Sequence, residues 1–143
     1  MNALDLTKDF PRSPRAKVAG YVIAGRTLDK CRAVIAGTEG EYHYNCPLDK
    51  MWLDFAGVDA DAFKEFVATG ADDDAVAAWI NENSAGKSEE EIIKWNNDHR
   101  YKRICEMPDE LQVFLEGYID EVVPEGKIVY HWFDVYDIEE GRI

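Results

Sequence analysis

The spacing of helix starts and stops constrains this chain more than any other feature. Ser13 stands before Pro14, Cys46 before Pro47, Asp59 and Asp72 before apolar runs, and Ser88 three residues before Glu91. Side-chain oxygens at such positions accept from the free amide groups of a first turn, and proline suits the first helical position. Gly37, Gly57, Gly70 and Gly126 follow as stops, since glycine takes the left-handed conformation that ends a helix. Between these marks apolar residues recur with helical spacing, and alternation is rare. The pattern predicts an all-α or nearly all-α fold of about six helices.

Residue by residue, the first helix is expected from Pro14 to Gly37, with Val18, Tyr21, Val22, Leu28, Cys31, Val34 and Ile35 on its apolar side. At about 23 residues and roughly 35 Å it would be the spine of the molecule. Gly20 and Gly25 interrupt it, which implies a kink or the close passage of another backbone. Shorter helices are expected from Pro47, after Asp59, after Asp72, after Ser88 and from Pro108. In the tail, Ile128-Val129-Tyr130 could pair as a strand, while Trp132, Val135 and Tyr136 fit one helical face; the helix is the reading taken. With 143 residues, 46% of them apolar, the chain has material for one core, so a single domain over 1–143 is expected.

Charge narrows the function classes. The net charge of -13 disfavours a general affinity for nucleic acid or an anionic membrane, and no apolar stretch approaches the roughly 20 residues of a membrane span. The total hides an asymmetry. Residues 1–50 hold eight Lys/Arg against six Asp/Glu, whereas 51–143 hold eight against twenty-three. Three cysteines, Cys31, Cys46 and Cys105, are too few and too scattered for a disulfide framework, and a reducing cytoplasm is the expected home.

The run Pro11-Arg12-Ser13-Pro14-Arg15, then Gly20-Tyr21-Val22, Arg26-Thr27-Leu28-Asp29-Lys30-Cys31-Arg32-Ala33, Gly40-Glu41-Tyr42-His43 and Cys46-Pro47-Leu48-Asp49 resembles a small bacterial family known as domain of unknown function 5069. The resemblance implies a soluble bacterial protein and directs attention to these N-terminal motifs. It supplies no activity and no residue roles.

Within those motifs, Cys46 sits where a helix N-terminus favours an anion and so a reactive thiolate, and His43 or Glu41 could serve as its base. The plainer reading is a small half-buried cysteine beside a surface histidine. A second candidate is the strip of Arg26, Asp29 and Lys30, with Arg12 and Arg15 at the start of the helix, Glu41 and Tyr42 after it and Arg32 on another face. It could line the mouth of a site for a small anionic or zwitterionic ligand, or form an ion-pair network tying the helix to the Glu41 segment.

No metal or other cofactor is expected. His43, Cys46, His99 and Cys105 lack the two tight pairs of a structural zinc site, and a calcium loop from Asp72 would meet Ala77 and Asn83 where glycine and glutamate belong. Phosphate-loop and serine-nucleophile motifs are absent. Trp52, Trp79, Trp95 and Trp132 read as core anchors. The expectation is therefore a non-enzymatic domain that binds a small molecule or a protein partner, with an enzyme using Cys46 as the alternative. Phe10, Tyr42 and Tyr44 would suit an exposed patch, through which a homo-oligomer could form.

Overall fold

The computed structural model describes residues 3–143. Among them it shows seven α-helices and no strand: α1 (Ala24–Ala36), α2 (Pro47–Ala56), α3 (Ala60–Val67), α4 (Asp73–Asn83), α5 (Glu89–Arg100), α6 (Asp109–Val122) and α7 (Trp132–Glu139), with a 3-10 turn at Ile104–Glu106. The fold is all-helical, as the punctuation predicts. The tail forms α7, the helix expected there, which brings the count to seven where about six were expected, and residues 128–130 before it form no strand. Packing divides the chain into two compact units, the first ending at Ile93 and the second spanning Lys94–Ile143.

The expected long first helix is not present. Its N-terminal half is an irregular segment, and α1 keeps only the last thirteen residues. Val18 and Tyr21 exchange N–H···O=C bonds of 3.1 and 3.0 Å across a tight turn in which Ala19 and Gly20 have φ of 54° and 86°. Two central residues of positive φ define the type I′ turn, so Gly20 serves a reversal and not a helix. The Pro14 carbonyl, which a helix would have offered four residues on, accepts instead from the Ile23 N–H at 2.7 Å. Ile23 itself, the N-cap of α1, has φ 73°. A β-branched residue in that region costs on the order of 1–3 kcal/mol. Complete burial of Val22 and Ile23 offsets it. Gly25 does receive another backbone, for a Cβ there would stand 3.5 Å from the Ala16 carbonyl oxygen.

The remaining helices of the first unit start as their residues dictate. Pro47 opens α2, and the carboxylates of Asp59 and Asp72 accept from Ala62 and Ala75 N–H at 2.9 and 2.8 Å to cap α3 and α4. Ser88 and Glu91 form the expected reciprocal box at the start of α5. Gly57 ends α2 at φ 68°, and a Cβ there would lie 2.8 Å from Ala85 Cβ, so both conformation and space demand glycine.

Around α1, which packs on α2 and α3, the core is aromatic. The Trp52 ring meets Phe63 edge-on at 5.4 Å between centroids and Tyr21 at 6.2 Å, and Phe63 meets Trp79 at 5.8 Å. Trp52, Phe63, Val67, Val76 and Ile80 are fully buried, each contributing about 1.5–3 kcal/mol through loss of hydration. Among the described residues the Trp52 indole nitrogen has no hydrogen-bond partner. In the second unit α6 packs on α7, and Leu115, Met107, Trp132, Phe133, Val135 and Ile138 are buried. Asp134 fixes the start of α7 by accepting from Tyr130 and His131 N–H at 2.9 and 2.8 Å. Trp79 and Trp95 are only half-buried, so they anchor less than Trp52 and Trp132.

A buried charged helix and the loop along it

Every residue of α1 from Ala24 to Ala33 is buried, including Arg26, Asp29, Lys30 and Arg32. Charged side chains survive burial only with partners, because the lost hydration of an isolated ion is several kcal/mol or more. Here the partners form two groups.

The first group lies on the Arg12 and Asp29 side. Asp29 accepts from the Arg12 guanidinium at both oxygens, Nε to Oδ2 at 3.1 Å and Nη2 to Oδ1 at 3.0 Å, and from the Arg12 N–H at 2.8 Å. Arg12 Nη1 continues to Asp73 Oδ2 at 2.9 Å, and Asp73 Oδ1 accepts from Arg32 Nη1 at 2.7 Å. Arg32 also donates to the Ala71 carbonyl, which ties α1 to the start of α4. Burial opposes ionisation of Asp73, but its bonds and proximity to Arg32 and Arg12 outweigh that and hold its carboxyl below the ordinary value. Arg32 is thus linked to Asp29 through Asp73 and Arg12, and it does not point away from the strip as expected: three residues after Asp29, it lies on the same side of α1.

The second group is centred on Asp49, in the first turn of α2 and wholly buried. Its Oδ1 accepts from Thr27 Oγ1 at 2.7 Å and lies 2.8 Å from Lys30 Nζ, while Oδ2 accepts from the Asn45 N–H at 2.9 Å. Lys30 Nζ also donates to Cys46 Sγ at 3.2 Å. Asn45 takes φ 62°, which turns the chain into α2 and places Cys46 at its N-cap.

One turn before Lys30 on α1, the Arg26 guanidinium lies over the Tyr42 ring, 5.6 Å from its centroid, and Nη1 donates to the Arg12 carbonyl at 3.2 Å. Tyr42 and Cys46 are four residues apart in the loop, as Arg26 and Lys30 are in the helix. The loop thus runs along α1 in two rungs, Tyr42 on Arg26 and Cys46 on Lys30. Tyr42 and Cys46 are half-exposed, so these rungs separate buried cations from solvent. Tyr44, between them, donates to the Ala60 carbonyl at 2.6 Å and stacks on Phe63; its burial, with Cys31 and nearby aspartates, raises its phenol above the ordinary value.

The residues expected to form a site are therefore sorted. Arg26, Lys30, Tyr42 and Cys46 share the seam between α1 and the loop, while Asp29 belongs to the Arg12 group. His43 and Glu41 are exposed, and neither makes a hydrogen bond or ion pair among the described residues. The partner of Cys46 is Lys30, which proximity in sequence did not suggest. Asp49 and Thr27 are partners that the sequence did not suggest, whereas Arg12, expected at the start of the strip, pairs with Asp29. The available signal was the three-residue spacing of Thr27 and Lys30, which gives one helix face two groups able to share a carboxylate.

No group of three or more His, Cys, Asp or Glu side chains among the described residues is arranged to hold a metal ion. No helix among them is long and apolar enough to cross a membrane. A family model described as a domain of unknown function (DUF5069) matches residues 8–142. No curated protein matches the chain.

Proposed function

The chain belongs to the DUF5069 family, a domain of unknown function, and from that premise we propose that it is a non-enzymatic binding domain for a small anionic molecule, a carboxylate or phosphate, taken at the seam of α1 and the 41–46 loop. The observation that carries this reading is the two-rung arrangement, in which Arg26 and Lys30 are held immobile beneath half-exposed Tyr42 and Cys46. Cations already desolvated and fixed in position lose little freedom when a ligand arrives, and this preorganisation favours affinity. Arginine supplies a planar fork suited to carboxylate or phosphate, and Tyr42 supplies a ring at the same place. Asp49, itself held by Thr27, pairs with Lys30 from behind and fixes its direction.

The reading is tested by thermal denaturation in the presence of a panel of small carboxylates and phosphate monoesters. The expected result is an upward shift of the midpoint with one class, lost in Arg26→Ala and Tyr42→Ala but kept in Arg32→Ala, whose side chain serves the Asp73 group. If no member of the panel shifts the wild-type midpoint while all three variants merely lose stability, the cations are structural and the proposal fails.

A further inference from the structure

The start of α2 brings a sulfur and a buried amine within reacting distance. Lys30 Nζ lies 3.2 Å from Cys46 Sγ, and the lysine side chain is only 4% exposed, fixed from its other side by Asp49 at 2.8 Å. Cys46 is half-exposed, so a small oxidant can reach the sulfur from solvent. Atoms held at about 3–3.5 Å in fixed orientation form a near-attack pair. The other thiols lack this environment. Cys31 is fully buried, and burial pushes its thiol up to about 12. Cys105 is exposed, and no cation among the described residues donates to its sulfur.

We propose that Cys46 is a modification site for hydroperoxides, and that Lys30 captures the oxidised sulfur as a reversible nitrogen–sulfur cross-link between α1 and the start of α2. In the first step the Cys46 thiolate attacks one oxygen of hydrogen peroxide. An S–O bond forms, the O–O bond breaks, and sulfur is oxidised by two electrons to the sulfenic acid. The departing hydroxide takes a proton from the Lys30 ammonium and leaves as water, so the amine is freed beside the sulfur it must attack. In the second step the nitrogen lone pair attacks sulfur, the S–OH bond breaks, and the hydroxide leaves as a second water with a proton from nitrogen. The product is a sulfenamide, the same chemistry by which a sulfenic acid condenses with a backbone nitrogen. One peroxide is consumed and reduced to water. A free thiol reverses the link by attacking sulfur, giving a mixed disulfide and the lysine amine, and a second thiol releases Cys46.

The test treats the whole chain with stoichiometric hydrogen peroxide, blocks remaining thiols and maps peptides by mass spectrometry. The expected product has lost two hydrogens, about 2 Da, in a peptide joining Lys30 to Cys46. Tryptic cleavage after Lys30 disappears and returns after treatment with dithiothreitol. Lys30→Arg keeps a cation for Asp49 but offers a guanidinium that does not condense, so the cross-link is lost; one equivalent of peroxide leaves Cys46 as sulfenic acid, and a second equivalent carries it to sulfinic acid. Oxidation of wild-type Cys46 with Lys30 left unlinked, a bridge that retains oxygen, or preferential oxidation of Cys105 overturns the proposal.

Discussion

Removal of the Asp49 carboxylate is the sharpest perturbation of the structure. In Asp49→Ala the Lys30 ammonium stays buried with the Cys46 sulfur as its remaining partner among the described residues, and the Thr27 hydroxyl and Asn45 amide lose their acceptor. Breaking a buried ion pair from one side costs about 3–5 kcal/mol, because the other charge remains without compensation. The two neutral donors add to that cost less than their separate values, since relaxation around Lys30 serves them too. Against a total stability of about 5–15 kcal/mol, the loss takes a large share of what holds the chain folded. At about 2–4 °C per kcal/mol for a chain of this size, the midpoint falls by about 10 °C. Urea unfolding followed by tryptophan fluorescence measures it directly, since Trp52 lies on the same helix as Asp49. Asp49→Asn, which retains an acceptor without the charge, is expected to fall between wild type and alanine. The double variant Lys30→Met/Asp49→Leu is expected to recover most of the loss, because removing both charges avoids stranding either. A cost below about 1 kcal/mol for Asp49→Ala, the range of an exposed pair, would refute the account of this group as a buried and mutually dependent set.

Three other outcomes follow from the backbone and the Arg12 group. Ala19→Asn, which places Asn before Gly20 in the type I′ turn, is expected to raise stability by about 0.5–1 kcal/mol in the same urea assay, and a loss would contradict the turn assignment. Gly57→Ala is expected to cost at least about 2 kcal/mol, since it meets both positive φ and Ala85, whereas Gly70→Ala, with positive φ and open space, costs about 1; equal costs would remove the role given to Ala85. The Asp73 carboxyl lies below its ordinary value of 3.8 in the folded chain, so its contribution is present above that pH and is lost as pH falls through 3.8 toward the folded value. Asp73→Asn is therefore expected to be less stable than wild type at neutral pH, with the two urea midpoints converging as the pH falls below 3.8; parallel curves would contradict the ion-pair assignment.

The parts of the fold legible in the sequence are those set by local chemistry. Asp59, Asp72 and the Ser88/Glu91 pair cap helices through bonds spanning three residues, and such bonds form wherever that sequence occurs in an exposed turn. Ser13-Pro14 carries the same local signal and starts no helix, because the Pro14 carbonyl is taken by Ile23 and the intervening chain reverses at Ala19-Gly20. Local propensity was overruled there by burial of Tyr21, Val22 and Ile23. The same distinction governs the site. Arg26, Lys30, Tyr42 and Cys46 could each be picked out by residue type, but their pairing depends on the register between loop and helix, which the Asn45 turn and Asp49 set. His43 was the natural partner for Cys46 by proximity in sequence. The structure gives that place to a lysine sixteen residues earlier.

The burial of α1 also bears on the order in which the chain can fold. Its charges are met by Arg12 on one side of it in sequence and by Asp49 and Asp73 on the other, across separations of 17, 22 and 41 residues for bonds from Asp29, Thr27 and Arg32. Until those segments arrive, closing α1 into an apolar setting would strand its ions, so this central helix is poorly suited to act as an early nucleus. The short, self-capped α3 and α4 can form without it. The first unit is then expected to assemble inward, with its most buried helix among the last parts to become dry and the barrier set by bringing distant charges together.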